Sequence, residues 1–258
     1  MDLNLRGKTA IITGASRGIG SYIARALAAE GCNLAICARG EEQLRHTADE
    51  ISAAGTPVLA LPLDVTEPDA AARLVAATKE RFGTVDILVN NVGGNRRGAF
   101  AELSDEDWES VLELNFKAHQ RCSREVIPAL RAAGGGVILF IASIFGREAG
   151  GAGLAIYNAT KSALISMAKI MAVELAGEGI RVLSVAPGSI RFPGGSWDKR
   201  CIEDPEGMAA FIEQNLPIGR FGTAEEIADV VAFLVSDRAS LITGACINVD
   251  GGQSRSLI

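Results

Sequence analysis

Histidine is nearly missing from this chain of 258 residues: it has two, His46 and His119. Neither has a partner at metal-ligand spacing, so no metal site is expected. Tyrosine and tryptophan are equally scarce, at two each. The five cysteines are odd in number and scattered, with no C-x-x-C pair. They read as reduced thiols, mostly buried, rather than as a disulfide framework. No apolar run approaches the ~18 residues that span a bilayer. The N-terminal "MDLNLRGKTAIITG" enters a strand-like run almost at once and leaves no room for a signal peptide, so a cytoplasmic location is expected. Positive charge is short as well, 25 lysines and arginines against 31 acidic residues, for a net charge of −6. Without a basic block, nucleic acid and anionic membranes are poor candidate partners.

What the chain does have is a regular alternation. Short apolar runs at Thr9–Thr13, Asn33–Ala38, Val58–Leu63, Asp86–Asn91, Val137–Ser143, Arg181–Pro187 and Ile247–Val249 read as strands. Most are apolar on both faces, as in a parallel sheet covered by helices on each side. Between them lie stretches with helical periodicity: Ile19, Ile23 and Leu27, then Leu44, Ala48 and Ile51. "SDEDWESVLELNF" opens with Ser104 as an N-cap and Asp107 three residues on. Repeated strand–helix units predict an α/β fold, a doubly wound parallel sheet in a single domain spanning 1–258. Residues 187–215 break the pattern. With Pro187, Pro193, Pro205 and "PGGSWD" but no clean strand, the segment reads as a long irregular lid over a site.

After the first strand comes "TGASRGIG", with Gly14, Gly18 and Gly20 at G-x-x-x-G-x-G spacing. Glycine permits a tight turn and close backbone approach to a diphosphate. The helix that follows offers free N–H groups and a positive dipole end. The pattern predicts dinucleotide binding. An NAD site places a carboxylate at the tip of the second strand, for the ribose hydroxyls. Here the tip is Ala38 and Arg39, and Arg17 lies inside the glycine turn. Two guanidiniums suit a 2′-phosphate, which favours NADP(H). NAD(H) remains the alternative, with both arginines solvated and Glu41 or Glu42 serving the ribose. Asp64, ending the third strand, can accept from an adenine amine or cap the next helix.

In "YNATK", Tyr157 and Lys161 are four residues apart and share one helical face. A free tyrosine, with pKa about 10, is too weak an acid to ionise at neutral pH. A nearby ammonium lowers that value and makes the phenol a usable acid or base for an alcohol or ketone. Ser143, at the end of the fifth strand, can hydrogen-bond the same oxygen.

Taken together, "TGASRGIG", "NNVGG", Asn115 in "LELNF", Ser143, "YNATK" and "APGSI" resemble the short-chain dehydrogenase/reductase family. So do "PIGRFGTAEEIADVVAFLVSD" and "ITGACINVDGG", and the resemblance covers essentially the whole chain. It implies a Rossmann-type sheet of seven strands and hydride transfer between a nicotinamide and a carbonyl or secondary alcohol carbon. By resemblance, Tyr157 is the general acid/base. Lys161 binds the nicotinamide ribose and depresses the Tyr157 pKa, and Ser143 orients the substrate oxygen. Asn115 holds a water that links Lys161 to solvent. Ser16 and Ile19 join the glycines in the cradle, Val65 joins Asp64, and Asn91 and Gly93 line the cofactor. Pro187, Gly188 and Ile190 border the nicotinamide. Three departures stand out. Val92 replaces the common Ala, Phe192 stands where a Thr often bonds the carboxamide, and "GREAGGAG" separates Ser143 from Tyr157.

The predicted substrate loops carry Arg96, Arg97, Arg147, Arg191, Lys199 and Arg200, which raises the expectation of an anionic substrate. A 3-oxoacyl thioester is one candidate, since many relatives are 3-oxoacyl-carrier-protein reductases. Those dock an acidic carrier near the ends of two helices. The matching stretches here, "VIPALRAAG" and "IMAVELAGEG", hold one basic residue, Arg131. Some family members lose the Tyr or Lys and become non-catalytic binding regulators; this chain keeps both. The family's assembly implies a homotetramer or homodimer, and a scaffold role remains a third class.

Overall fold

The computed structural model describes residues 1–257. In chain order the elements are β1 (Thr9–Thr13), α1 (Gly18–Ala29), β2 (Asn33–Ala38), α2 (Glu41–Ala53), β3 (Val58–Pro62), α3 (Ala70–Phe82) and β4 (Ile87–Asn90). There follow α4 (Asp105–Leu112), α5 (Ala118–Ala132), β5 (Gly136–Ile141), α6 (Ala155–Leu175) and β6 (Ile180–Pro187). The last are β7 (Ile190–Arg191), α7 (Ser196–Glu203), α8 (Pro205–Asn215), β8 (Gly222–Thr223), α9 (Ala224–Val235) and β9 (Cys246–Val249). Seven strands form one parallel sheet in the order β3-β2-β1-β4-β5-β6-β9. The Rossmann-type, doubly wound fold expected from the sequence is present, with each predicted strand displaced by no more than two residues at an end.

Alternate strand residues face opposite layers. Ile12, Ile36, Val89 and Leu139 pack with Ile23 and Leu27 of α1 and Ile227 and Val231 of α9. Ile11, Leu88, Ile138 and Phe140 pack with Leu74 of α3, Val126 of α5 and Leu164 of α6. Burial on both faces explains why the strands are apolar throughout rather than alternating. The chain runs outward from β1 to β3, then returns to add β4 on the other side of β1. The carboxyl ends of β1 and β4 diverge at that reversal and leave a crevice, the place where sheets of this kind bind ligands.

Residues 187–215 are not irregular. β7 pairs with β8 to form a small second sheet, and α7 and α8 follow almost without a break. Pro205, which reads as a breaker, stands in the first turn of α8, where its missing N–H costs nothing, and Asp204 caps that turn through Gly207. Trp197, Phe211 and Phe221 hold the two helices together, with centroids 4.8 Å and 5.1 Å from Trp197. No helix among the described residues is long and apolar enough to cross a membrane.

Candidate active site

The crevice is lined first by the glycine turn. Gly14 has φ +67°, and Gly20 tolerates no side chain. A Cβ on Gly20 would stand 2.4 Å from both the Gly14 carbonyl oxygen and the Asn91 amide nitrogen. Asn91 braces this turn from β4: its amide donates to the carbonyls of Thr13 (3.0 Å) and Gly14 (3.1 Å). Its backbone N–H donates to Thr13 Oγ1 at 3.0 Å. The Asn91 side chain is thus committed to shaping the cradle. Ser16 ties the turn to α2, its carbonyl accepting from Thr47 Oγ1 at 3.1 Å. Arg17 precedes α1 in extended conformation without a side-chain cap, which leaves the first-turn N–H groups of Gly18, Ile19 and Gly20 to an outside acceptor. A dinucleotide diphosphate fits this cradle.

At its adenosine end, β2 finishes with buried Ala38 and exposed Arg39. The Arg39 guanidinium lies 3.9 Å from Asp64 Oδ2. Glu41 is paired with Arg45 one turn along α2, at 2.5 Å. Asp64 caps no helix. Its Oδ1 accepts from the Thr66 N–H (3.0 Å) and hydroxyl (2.7 Å), closing a turn well ahead of α3. Burial works against its charge, but those bonds and Arg39 hold it below the usual carboxylate range. Val65 beside it is buried.

The reacting end is built by α6. Tyr157 and Lys161 lie on its inner face, with the ammonium 5.8 Å from the phenol ring centroid. Lys161 is buried and donates to the Ile141 carbonyl at 2.8 Å. Burial pulls its pKa down to about 8. Tyr157 departs from expectation. Burial raises its phenol above the ordinary value, and the only opposing influence is a hydrogen bond from Ser143. The lysine is anchored on the β5 backbone, too far back to offset desolvation. Ser143 is itself fixed, accepting from the Phe145 N–H at 3.2 Å. The backbone beyond it approaches α6 so closely that a Cβ on Gly146 would meet the Lys161 carbonyl at 2.8 Å.

Asn115 reaches the site from a single widened π-helical turn, Glu113–Lys117, between α4 and α5. Its amide holds Gly94 from both sides, accepting from the N–H (2.8 Å) and donating to the carbonyl (2.9 Å). It also donates to Thr160 at 3.1 Å. Gly93 closes the floor: a Cβ there would be 3.4 Å from the Lys161 ammonium nitrogen and 3.6 Å from Asn115 Oδ1. The final wall is Pro187, Gly188 and Ile190 after β6. Gly188 donates to the Val249 carbonyl at 3.1 Å, and Ile190 is buried.

Several supporting residues were not singled out in the sequence. Thr13 and Thr160 act as hydrogen-bond hubs, signalled only by their places next to Gly14 and Lys161. Gln253 braces the wall, accepting from the Ser189 N–H at 2.7 Å and donating to its hydroxyl at 3.0 Å. His119 is fully buried, bonds the Val92 carbonyl through Nε2 at 2.7 Å and is pushed down to about 3, so it stays neutral. The loop arginines divide: Arg147 is held in the fold, while Arg96 and Arg191 pair with carboxylates at the surface and stay exposed. Arg96 pairs with Asp107 and Arg191 with Asp198, each at 2.9 Å. Arg147 donates to the Cys246 carbonyl and to Asn248.

Residues 14–254 match a family profile described as Enoyl-(Acyl carrier protein) reductase. The chain is 39% identical over 251 residues to the 3-oxoacyl-acyl-carrier-protein reductase FabG of Escherichia coli K12, covering 97% of this chain and 99% of that one. The chain belongs to the short-chain dehydrogenase/reductase family. Among solved structures of similar proteins is L-sorbose reductase from Gluconobacter frateurii, complexed with NADPH and L-sorbose. It matches with TM-score 0.95 and 36% identity over the full length of both chains. A 7α-hydroxysteroid dehydrogenase complexed with NADH and 7-oxoglycochenodeoxycholic acid matches with TM-score 0.91 and 32% identity, over 100% of this chain and 98% of that one. As a short-chain dehydrogenase/reductase, the protein is an oxidoreductase of the alcohol–carbonyl couple.

Proposed function

We propose that this chain is a cytoplasmic, NADP(H)-dependent reductase of a small ketone. The observation that carries the reading is a constellation: the half-buried Tyr157 phenol beside the Ser143 hydroxyl and one helical turn from Lys161, whose ammonium lies 5.8 Å from the phenol ring centroid. A protonated phenol at neutral pH is a general acid, the group that carbonyl reduction needs. A substrate oxygen held between Ser143 Oγ and Tyr157 Oη takes the phenol proton. With a nicotinamide held between Lys161 and the Pro187–Gly188 wall, the carbon would receive its hydride from that ring. The Ser143 hydroxyl, whose hydrogen bond favours the ionised phenol, stabilises the phenolate left behind. Proton return runs past Lys161 to the widened turn around Asn115. There the side chain is committed to Gly94 and Thr160, so the backbone of the turn is the part free to hold a water.

The NADP(H) preference rests on Arg17 and Arg39, exposed at the adenosine end with no carboxylate at the β2 tip. The NADPH bound by the sorbose reductase agrees with it, whereas the steroid dehydrogenase carries NADH. The loop cations leave a neutral and an anionic ketone both in play: Arg147 is held by Cys246 and Asn248, but Arg96 and Arg191 remain exposed in surface pairs. The 3-oxoacyl thioester reading keeps its support in the similarity to FabG. It loses its docking cation, since Arg131 forms a two-pronged pair with Glu178. Absorbance-followed NADPH oxidation with a panel of neutral ketones and acetoacetyl-CoA side by side, and NADH as control, tests these assignments. Turnover of ketones is expected. Turnover of the thioester alone would replace the substrate reading, and equal rates with NADH would overturn the role of the two arginines.

A further inference from the structure

Phe192 stands where relatives of this chain often have a threonine, and the structure gives its ring a definite seat. A Cβ on Gly18 would lie 2.8 Å from Phe192 Cε2 and 2.9 Å from Cζ. The ring therefore rests directly on the Gly18 backbone, at the first residue of α1, where the uncapped N–H groups of the cradle begin. The same ring edge also meets Gly195, whose Cβ would be 2.8 Å from Cε2. The segment carrying it is tied down at both ends. Ile190–Arg191 pairs with β8, and Asp198 accepts from Arg191 (2.9 Å) and from the Gly194 N–H (3.0 Å). Between those ties lie Phe192, Pro193, Gly194 and Gly195, folded into one turn by a Gly195 N–H to Phe192 carbonyl bond of 2.9 Å.

We infer that Phe192 is the gate of the dinucleotide cradle: its ring lies across the approach to the Gly18–Gly20 N–H groups and swings aside for the diphosphate to enter or leave. The inference rests on the dinucleotide reading of the cradle. A ring in van der Waals contact with Gly18 stands within a few ångströms of the donors a diphosphate must reach. The ring can leave this seat by rotation about its own side-chain torsions while the backbone bonds of the turn stay made. The anchored ends return it to the same seat. A gate differs from a wall in its kinetics. A wall holds bound cofactor in and acts on dissociation alone, whereas a gate slows passage in both directions and changes affinity little.

Stopped-flow measurement of NADPH binding, followed by cofactor fluorescence without substrate, separates the two. In Phe192→Ala, the association and dissociation rates should both rise roughly tenfold, with Kd within about threefold of the parent. Gly195→Ala is an independent variant. The backbone there is ordinary at φ −73°, and its methyl presses on the ring at 2.8 Å and on the Phe192 carbonyl oxygen at 3.0 Å, so the ring is driven off its seat and association should again speed up. An unchanged association rate in both variants, with parent-like melting temperatures, would overturn the gate, whether or not dissociation changes. If the parent chain binds neither NADPH nor NADH, the cradle reading falls as well. Binding by the parent with unaltered variant kinetics removes the gate alone.

Discussion

The chemistry of a single residue can be at odds with the stability of the fold, and Lys161 shows this most clearly. Holding its pKa at about 8 against an ordinary 10.5 means the folded protein binds the proton less tightly than the unfolded chain. At neutral pH that difference costs about 3 kcal/mol, and the cost fades as pH rises from about 8 toward 10.5. Lys161→Met removes it at the expense of the bond to Ile141, worth about 1 kcal/mol. The variant should abolish turnover yet melt several degrees higher at pH 7, readable by calorimetry; a lower melting temperature would show that the ammonium is not desolvated as described. Tyr157→Phe should behave differently, lowering turnover by about 10²–10⁴-fold while NADPH binding, measured by fluorescence, stays intact. A regulator without turnover would lose nothing. His119 has the same sign of pH dependence as Lys161, in a lower window. Its folded value of about 3 lies below the ordinary 6.5, so the unfolded chain binds the extra proton and stability is lost as pH falls from 6.5 toward 3. His119→Gln keeps an N–H donor and cannot titrate, so its urea midpoint should fall less steeply over that window.

At the scale of elements, what the sequence disclosed depended on whether the signal was local. The strands of the main sheet were legible because burial on both faces leaves continuous apolar runs, and the start of α4 because Ser104 and Asp107 form a capping box. The glycine turn was legible since Gly14 and Gly20 are positions where no other residue fits. The lid was misread because proline and glycine were taken as breakers, whereas Pro205 begins a helix and the stabilising contacts come from Trp197, Phe211 and Phe221, which are distant in sequence. The widened turn at Asn115 left no trace at all: its cause is tertiary, the pull of Gly94 and Thr160 on one amide. Nor could spacing show that Lys161 is anchored on Ile141 and leaves Tyr157 protonated. The aromatic cluster carries its own prediction. Phe211→Ala unstacks α7 from α8 and should raise KM for the ketone by about threefold or more while leaving NADPH affinity unchanged, because the Phe192 turn that rests on Gly18 is held independently by the β7–β8 pairing and by Asp198. A shift in Trp197 emission would accompany it. Equal losses in both constants would mean that the lid supports the cradle too.

The whole molecule presents apolar surface on the same helix that holds Tyr157 and Lys161. On α6, Tyr157 and Lys161 face inward, while Ile170 and Val173 are 56% and 71% exposed, three residues apart and therefore on one outer stripe. Phe100, packed edge-to-face on Trp108 ahead of α5, is 73% exposed. With a net charge of −6, two copies repel at long range, so association must come from apolar contact at close range. The self-association that the family resemblance implies is proposed to use that stripe. Val173→Glu places a charge in it, where desolvation without a partner costs several kcal/mol. Sedimentation velocity at micromolar concentration should show the parent as a tetramer or dimer and the variant shifted to a smaller species. The smaller species should also turn over more slowly, because α6 is then braced from the inner side only, and Tyr157 and Lys161 depend on its position. A parent that sediments as a monomer would rule out the stripe as an interface. A variant that dissociates at full activity would show that the sheet and the Ile144–Gly146 turn alone hold the catalytic helix in place.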